Sequence, residues 1–167
     1  NCHTVPNEKL VNVGGHVAGS EGFELVAWSQ GMIRHNFVRS GYTANNPSAP
    51  DRLRVMYVVG LMTDLEYSLR ATGKASAKTP YGVTNARRAY DVRRQLAEMQ
   101  EQLNHPLLTQ ALDAAYGIKL KSQNPDALAL AADQVGTAAN QFAETVDGSN
   151  LAVVDAWLPK PDQYKSK

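Results

Sequence analysis

Helical spacing of apolar residues is the feature that most constrains how this chain can fold. Downstream of Pro50, six apolar residues recur every three or four positions, which places them on one helix face: Val55, Val58, Val59, Met62, Leu65 and Leu69. Ser48 and Asp51 have the spacing of a capping box, and Gly73 with the polar stretch 74–80 predicts where the helix ends. An apolar stripe of this kind must pack against other elements, so the rest of the chain has to supply partners for it.

The same signals recur along most of the chain. They predict a helix over about 84–103, a third beginning at His105 and Pro106, a fourth over about 125–148, a short fifth segment over about 150–157 and an earlier helix within 21–38. No strand-like alternation persists, so the sequence predicts an all-α fold. In this prediction residues 1–48 form a loop-rich segment, residues 49–158 a bundle of about four helices, and residues 159–167 a flexible tail.

Composition narrows the classes of function. The chain has 167 residues, enough for one domain with a real core, and its formal net charge is +1 from 17 basic and 16 acidic residues. This balance argues against nucleic acid or an anionic membrane as a partner. The longest apolar run, 55–62, is far short of the roughly 20 residues that span a bilayer, so no membrane span is predicted. The chain opens on Asn1, and we therefore expect a processed or partial chain.

The start of the chain, Asn1-Cys2-His3, combines the single cysteine with a histidine. Cys-His is how the haem-attachment signature C-x-x-C-H ends: its thiols bond the haem vinyl groups and its histidine ligates iron. The first cysteine of that signature would fall two residues before Asn1. One cysteine also excludes an intrachain disulfide. These residues therefore predict a haem bound through Cys2, with His3 as its proximal axial ligand.

A second axial ligand is available from the segment that follows. Gly15 precedes His16, and a glycine lets the backbone approach a flat macrocycle closely. A neutral imidazole at His16 would then ligate iron from the opposite face of the ring. Phe23 and Trp28 are suitable to pack against its apolar edge. Met32 and Met62 are weaker candidates for the same ligand position.

Taken in order, these residues resemble a known family. The final haem-binding stretch of multihaem c-type cytochromes often runs C-x-x-C-H, L, G-H-P, F-E-L and R-H-W. The residues here that match it are Cys2, His3, Leu10, Gly15, His16, Phe23, Glu24, Leu25, Arg34 and His35. Val17 replaces the usual proline, Asn36 replaces the aromatic residue, and the first haem cysteine is missing. The resemblance covers residues 2–37, less than a quarter of the chain.

The resemblance implies a cofactor, a function and a location. The cofactor would be haem c, held by the thioether of Cys2 with His3 and His16 as axial ligands, and His35 would be an axial ligand of a neighbouring haem. Residues 1–48 would then be a haem-binding segment that transfers electrons and is an electron carrier more than a catalyst. The bundle would contact other haem domains or subunits, a redox partner protein or a second copy of the chain. A periplasmic or extracellular location follows, since c-type haem is attached outside the bacterial cytoplasm.

Other functions stay open. The chain could be a haem-free helical interaction or scaffold module in which Cys2 is incidental. It could also be part of a multihaem oxidoreductase that acts on small nitrogen or sulfur compounds, although no catalytic residue is assigned. A zinc site built from Cys2, His3 and His16 would lack a plausible fourth ligand.

Two further groups of polar residues have structural interpretations. His105 stands directly before Pro106, so we expect it to cap the third helix of the bundle. Four arginines of the second helix are predicted to form a solvated face with interleaved acidic residues, although one of them could contact a haem propionate or a partner: Arg87, Arg88, Arg93 and Arg94.

Overall fold

The fold was analysed in a computed structural model, which describes residues 4–20, 22–31, 46–122 and 124–165. These ranges contain six α-helices: α1 Glu8–Asn12, α2 Leu25–Ser29, α3 Pro50–Lys74, α4 Pro80–Leu103, α5 Pro106–Tyr116 and α6 Pro125–Thr145. Two short 3-10 turns follow, Ala152–Ala156 and Pro161–Gln163. Within the same ranges, extended backbone pairs at a single isolated bridge, between Thr4 and Gly19. The predicted all-α fold is confirmed.

Local sequence signals explain where the four long helices begin and end. Each of α3, α4, α5 and α6 begins with a proline. Proline suits a first helical turn because its φ is already helical and its missing N–H would have no partner there. Asn104 has a φ of 47°, a left-handed conformation that ends α4 and lets α5 start two residues later.

The four long helices pack around one apolar core. Helix α3 contacts both α4 and α6, and α5 contacts the same two helices, so the four form a closed ring. The predicted stripe on α3 faces this core, with Val58, Met62, Leu65 and Leu69 completely buried. Helix α6 presents small residues to α3, and a Cβ added at Gly136 would lie 2.8 Å from the Glu66 carboxylate. That glycine therefore leaves room for the Glu66 carboxylate between the two helices.

Several helix ends differ from the prediction. Helix α3 is capped at Ala49 without a side-chain hydrogen bond, so the predicted capping box of Ser48 and Asp51 is wrong. The Ser48 N–H instead donates to the buried amide oxygen of Gln30 at 2.8 Å, and Asp51 pairs with Arg54 at 2.7 Å. Helix α4 begins at Pro80, four residues before the predicted start at Thr84.

The segment before the bundle contains two short helices in its described residues. Helix α1 was not predicted, and the helix predicted within 21–38 is represented in the described ranges by α2 alone. Helix α2 begins after Glu24, whose carboxylate caps it, and ends before Gln30. Residues 32–38 lie outside the described ranges.

Helix α1 is attached to the turn between α3 and α4 by side-chain hydrogen bonds. Asn12 Oδ1 accepts the Tyr81 N–H at 3.0 Å, and Asn12 Nδ2 donates to Thr79 Oγ1 at 2.8 Å. Glu8 Oε2 accepts the Ser76 N–H at 2.9 Å. Asn12 thereby satisfies one of the unpaired N–H groups of the first turn of α4, from a distant part of the sequence.

The described part of the tail also contacts the rest of the chain. The Lys165 N–H donates to the Ala27 carbonyl at 2.9 Å, and its ammonium lies 5.0 Å from the centroid of the Trp28 ring. Tyr164 packs against the main core. The flexibility expected for residues 159–167 stays a prediction. None of the described helices has the length and apolar character to cross a membrane.

Candidate functional site

His16 lies in an exposed loop that directly follows helix α1. Gly15 adopts a φ of +71°, a conformation that side chains with a Cβ rarely take. The His16 N–H donates to the Leu10 carbonyl at 3.1 Å, which folds the loop back over α1. Two apolar side chains of the same loop are unusually exposed to solvent: Val13 is 78% exposed and Val17 is 69% exposed. The imidazole of His16 is therefore presented at the surface.

The residue after the Cys-His pair lies against the same loop. Thr4 forms the isolated antiparallel bridge with Gly19, and the Val5 N–H donates to the Ala18 carbonyl at 2.9 Å. Cys2 and His3 themselves lie outside the described residues. Because Thr4 follows His3 directly and Gly19 follows His16 by three positions, the bridge ties together the two segments that carry the predicted ligands.

The loop, Phe23 and helix α4 enclose an open cleft of about 690 Å³, which we call the His16 cleft. This volume falls within the roughly 300–1,000 Å³ that is typical of ligand pockets. Both apolar and polar side chains line it, among them Val11, His16, Val17, Phe23, Arg87, Arg88, Asp91 and Val92. The cleft thus combines an imidazole, an aromatic ring and two cations.

The F-E-L residues of the N-terminal pattern divide between the cleft and the protein body. Phe23 lines the His16 cleft. The Glu24 carboxylate accepts the Val26 and Ala27 N–H groups at 2.8 and 2.7 Å, and burial raises its pKa. Leu25 packs on α3 at Gly60, so closely that a Cβ added at this glycine would lie 2.9 Å from the Leu25 Cβ. The three residues therefore have different roles: Phe23 lines the cleft, Glu24 caps α2, and Leu25 packs on α3.

Glu24 also influences a buried tyrosine on α3. The Tyr57 hydroxyl accepts a hydrogen bond from Gln95 Nε2 at 2.7 Å. Burial, followed by the nearby Glu24 carboxylate, raises the pKa of Tyr57 to about 12. Tyr57 therefore stays neutral, and its hydrogen bond with Gln95 joins α3 to α4.

Trp28 contacts Phe23 and is not among the residues that line the cleft. The centroids of the two rings are 5.4 Å apart with the planes tilted by 59°. The indole N–H donates to the Gly22 carbonyl at 3.3 Å. Trp28 therefore supports the position of Phe23, and Phe23 is the aromatic residue available to a ligand in the cleft.

The four arginines of α4 have three different environments. Arg87 pairs with Asp91 at 3.9 Å and Arg94 with Glu98 at 3.7 Å, which confirms the predicted solvated face for these two. Arg93 lies over the rings of Tyr90 and Tyr116, with its guanidinium carbon 5.4 and 4.7 Å from their centroids. This stacking was not predicted, since Tyr116 belongs to α5.

Arg88 is the second exception, and its partner is on α3. Its Nε lies 2.6 Å from Asp64 Oδ1, and only 20% and 18% of the two side chains are exposed. Burial raises the pKa of Asp64, and the Arg88 guanidinium opposes this shift. Arg87 and Arg88 both line the His16 cleft, whereas Arg93 and Arg94 do not.

The other residues considered as iron ligands do not line the His16 cleft in the described part of the chain. His105 caps α5, with its Nδ1 accepting the Leu107 N–H at 3.3 Å, so its predicted structural role is confirmed. Met62 is completely buried in the main core. Met32 and His35 lie outside the described residues. Among the residues that are described, no group of three or more histidine, cysteine or acidic side chains could hold a metal ion.

Comparison with known proteins does not identify a family for this chain. The sequence matches no protein-family model, and neither curated proteins nor solved structures show significant similarity to it. The resemblance to multihaem cytochromes thus depends on the residues of segment 2–37 themselves.

Proposed function

We propose that this chain binds covalently attached haem c in the His16 cleft and transfers electrons as part of a multihaem c-type cytochrome. The observation that carries the proposal is the bridge between Thr4 and Gly19. A haem held by Cys2 and His3 on one side and by His16 on the other needs these two segments at a fixed separation. The bridge supplies such a constraint one residue beyond the Cys-His pair.

The lining of the cleft fits the chemistry of this group. Val17, Val92 and Phe23 offer an apolar surface that would exclude water from one edge of the macrocycle. Arg87 and Arg88 could bind carboxylates such as the propionates, because guanidinium groups donate paired hydrogen bonds to carboxylate oxygens. The haem would supply one-electron redox chemistry at its iron. The residues of the chain would hold it, orient it and set its potential through charge and burial.

Asp64 would moderate the charge at this edge of the cleft. It neutralises part of the Arg88 guanidinium at 2.6 Å, whereas Arg87, with a side chain 82% exposed and an Asp91 partner at 3.9 Å, keeps more freedom to turn toward a bound anion. We therefore assign the principal propionate contact to Arg87. Arg88 would act mainly by fixing α4 against α3.

The resemblance to multihaem cytochromes also implies a role for the bundle and a location. The helical bundle would provide the surface that contacts other haem domains, other subunits, a redox partner or a second copy of the chain. The location would be periplasmic or extracellular, where c-type haem is attached.

Replacement of His16 tests the proposal. In a host that attaches c-type haem, we expect His16→Ala to retain covalent haem but to lose the low-spin absorption spectrum of a six-coordinate iron. His105→Asn is the matched control, because asparagine still caps α5 and His105 does not line the cleft. A purified protein without haem absorption would refute the proposal, and so would an unchanged spectrum in His16→Ala.

A haem-free interaction module is the second candidate. It is favoured by the three apolar residues exposed in and beside the His16 loop: Leu10, Val13 and Val17. Open apolar side chains in one loop are typical of a protein contact. In this case the chain would be colourless, and Val13→Ser with Val17→Ser would abolish binding to its partner without affecting stability.

A further inference from the structure

A second cleft of about 700 Å³ lies beside helix α4, away from His16. It is formed by the turn between α3 and α4, the first turns of α4 and the connection between α5 and α6. We call it the lysine cleft, after its defining residues Lys78, Val83, Ala86, Leu120, Lys121 and Ser122. It shares no lining residue with the His16 cleft.

One wall of the lysine cleft is apolar. Val83 is 47% exposed although it is a large apolar residue on a helix, and Ala86 follows it one turn later on the same face. Leu120 faces this wall from the connection that follows α5. An apolar body inserted here would cover surface that is otherwise open to water.

The charge of the lysine cleft is of one sign. Lys78 and Lys121 come from different segments, and neither forms an ion pair with the described residues. No aspartate or glutamate is among its lining residues, whereas Asp91 lines the His16 cleft. Two unpaired cations on the rim of a half-enclosed space attract an anion. Ser122 adds a hydroxyl donor.

The carboxylate that approaches this region is already engaged. Glu8 Oε2 accepts the Ser76 N–H at 2.9 Å, and Glu8 Oε1 accepts from Asn12 Nδ2 and Thr79 Oγ1, each at 3.2 Å. These bonds lower the pKa of Glu8 and hold it on the α1 side of the turn. The described residues contain no ion pair between this carboxylate and Lys78 or Lys121.

We infer that the lysine cleft binds a small amphiphilic anion, with the anionic head between Lys78 and Lys121 and the apolar body against Val83, Ala86 and Leu120. Metal and haem ligation are not expected there, because no histidine, cysteine or methionine lines the cleft. This inference does not depend on the proposed haem function. It concerns different residues and a ligand held without covalent bonds.

Titration with decanoate tests the inference. We expect the full chain to bind decanoate in isothermal titration calorimetry, below the concentration at which decanoate forms micelles, and more weakly as salt is added. Lys78→Gln with Lys121→Gln should weaken binding at least about tenfold, since each lysine contributes a charge-assisted hydrogen bond. Lys9→Gln with Lys160→Gln is the matched control, because it removes the same charge from exposed lysines outside the cleft.

Two further measurements keep the inference falsifiable. Ala86→Leu fills the apolar wall and should also reduce decanoate binding, while circular dichroism verifies that each variant is folded. Vesicles containing phosphatidylglycerol distinguish a free anion from a lipid head group, and we expect no binding to them. Absence of decanoate binding, or equal binding by the native chain and the double lysine variant, would overturn the inference, as would binding to vesicles alone.

Discussion

The helical bundle and the segment before it are held together by a different balance of apolar and polar interactions. The bundle depends on an apolar core in which whole faces of α3 and α6 are buried. The segment before it buries fewer apolar residues, among them Val11 and Ala18 against Tyr81, and adds polar contacts, chiefly those of Glu8 and Asn12 with the turn before α4. An apolar core tolerates many substitutions that keep its volume and apolar character, whereas a side-chain cap requires a particular residue at a particular position. The two regions should therefore respond differently to substitution.

The largest effect is expected from the bundle. Phe142 is completely buried on α6, and we expect Phe142→Ala to reduce the free energy of unfolding by about 3–5 kcal/mol through lost burial and the cavity that remains. The control is Leu130→Ala on the same helix, where a side chain that is 60% exposed should contribute no more than about 0.5 kcal/mol. Chemical denaturation measures both. Similar losses for the two variants would contradict a core centred on this face of α6.

A smaller but more local effect is expected at Asn12. Asn12→Ala leaves the Tyr81 N–H without its acceptor, and we expect a loss of about 1–2 kcal/mol in the free energy of unfolding. Asn140→Ala on the exposed face of α6 is the control. Hydrogen exchange should show faster exchange at Tyr81 and in α1 while the centre of α3 stays protected. A uniform loss of protection in α1 and α3 would mean that the Asn12 contacts do not act locally and would contradict this prediction.

His105 gives the bundle a modest pH dependence. Burial lowers the pKa of His105 below its usual value, and protonation would remove the Nδ1 acceptor that caps α5. Because the unfolded chain binds the proton more readily, this contribution is complete above pH ~6.5 and is lost as the pH falls toward the lowered pKa of the folded state. Thermal unfolding of the native chain and of His105→Asn between pH 5 and 7 measures it. The native chain should lose more stability on acidification than the variant.

The smallest change in stability is expected at Arg87, where the change in function should be the clearest. Its exposed ion pair with Asp91 contributes little, so Arg87→Gln should alter the free energy of unfolding by less than about 0.5 kcal/mol. If the proposal of a haem in the His16 cleft holds, loss of this cation should lower the reduction potential, because the oxidised form carries the additional positive charge. Arg94→Gln, whose pair with Glu98 is outside the cleft, is the control for potentiometry.

The two regions also differ in how much the sequence reveals. The stripe from Val55 to Leu69 and the cap at His105 were predicted because spacing and neighbouring residues carry the signal. The predicted capping box of Ser48 and Asp51 is wrong because α3 begins at Pro50, which makes Ala49 the N-cap residue, and the Ser48 N–H donates to the distant Gln30. The Asn12 contacts join residues 67 and 69 positions apart, which no local pattern encodes. Arg88 was interpreted as solvated for the same reason, since its partner Asp64 is on another helix.

Part of the candidate site could nevertheless be predicted. His16 and Phe23 were selected from their order in the sequence, and they line one cleft. Trp28 was selected for the same role, but it contacts Phe23 from the short helix α2, to which it belongs, and does not line the cleft. The sequence allowed a propionate contact by one of the α4 arginines, but it could not show that Arg87 and Arg88 are the two that line the cleft, because this depends on the docking of α1 on the turn between α3 and α4.

Covalent attachment of haem through Cys2 is the central claim, and denaturing mass spectrometry tests it most directly. The protein isolated from its native host should retain haem on the denatured chain, and a peptide containing Cys2 should carry the added mass. In a host with c-type haem maturation, Cys2→Ser should lose that mass while its bundle still folds. A native chain with the mass of the unmodified polypeptide would contradict the account.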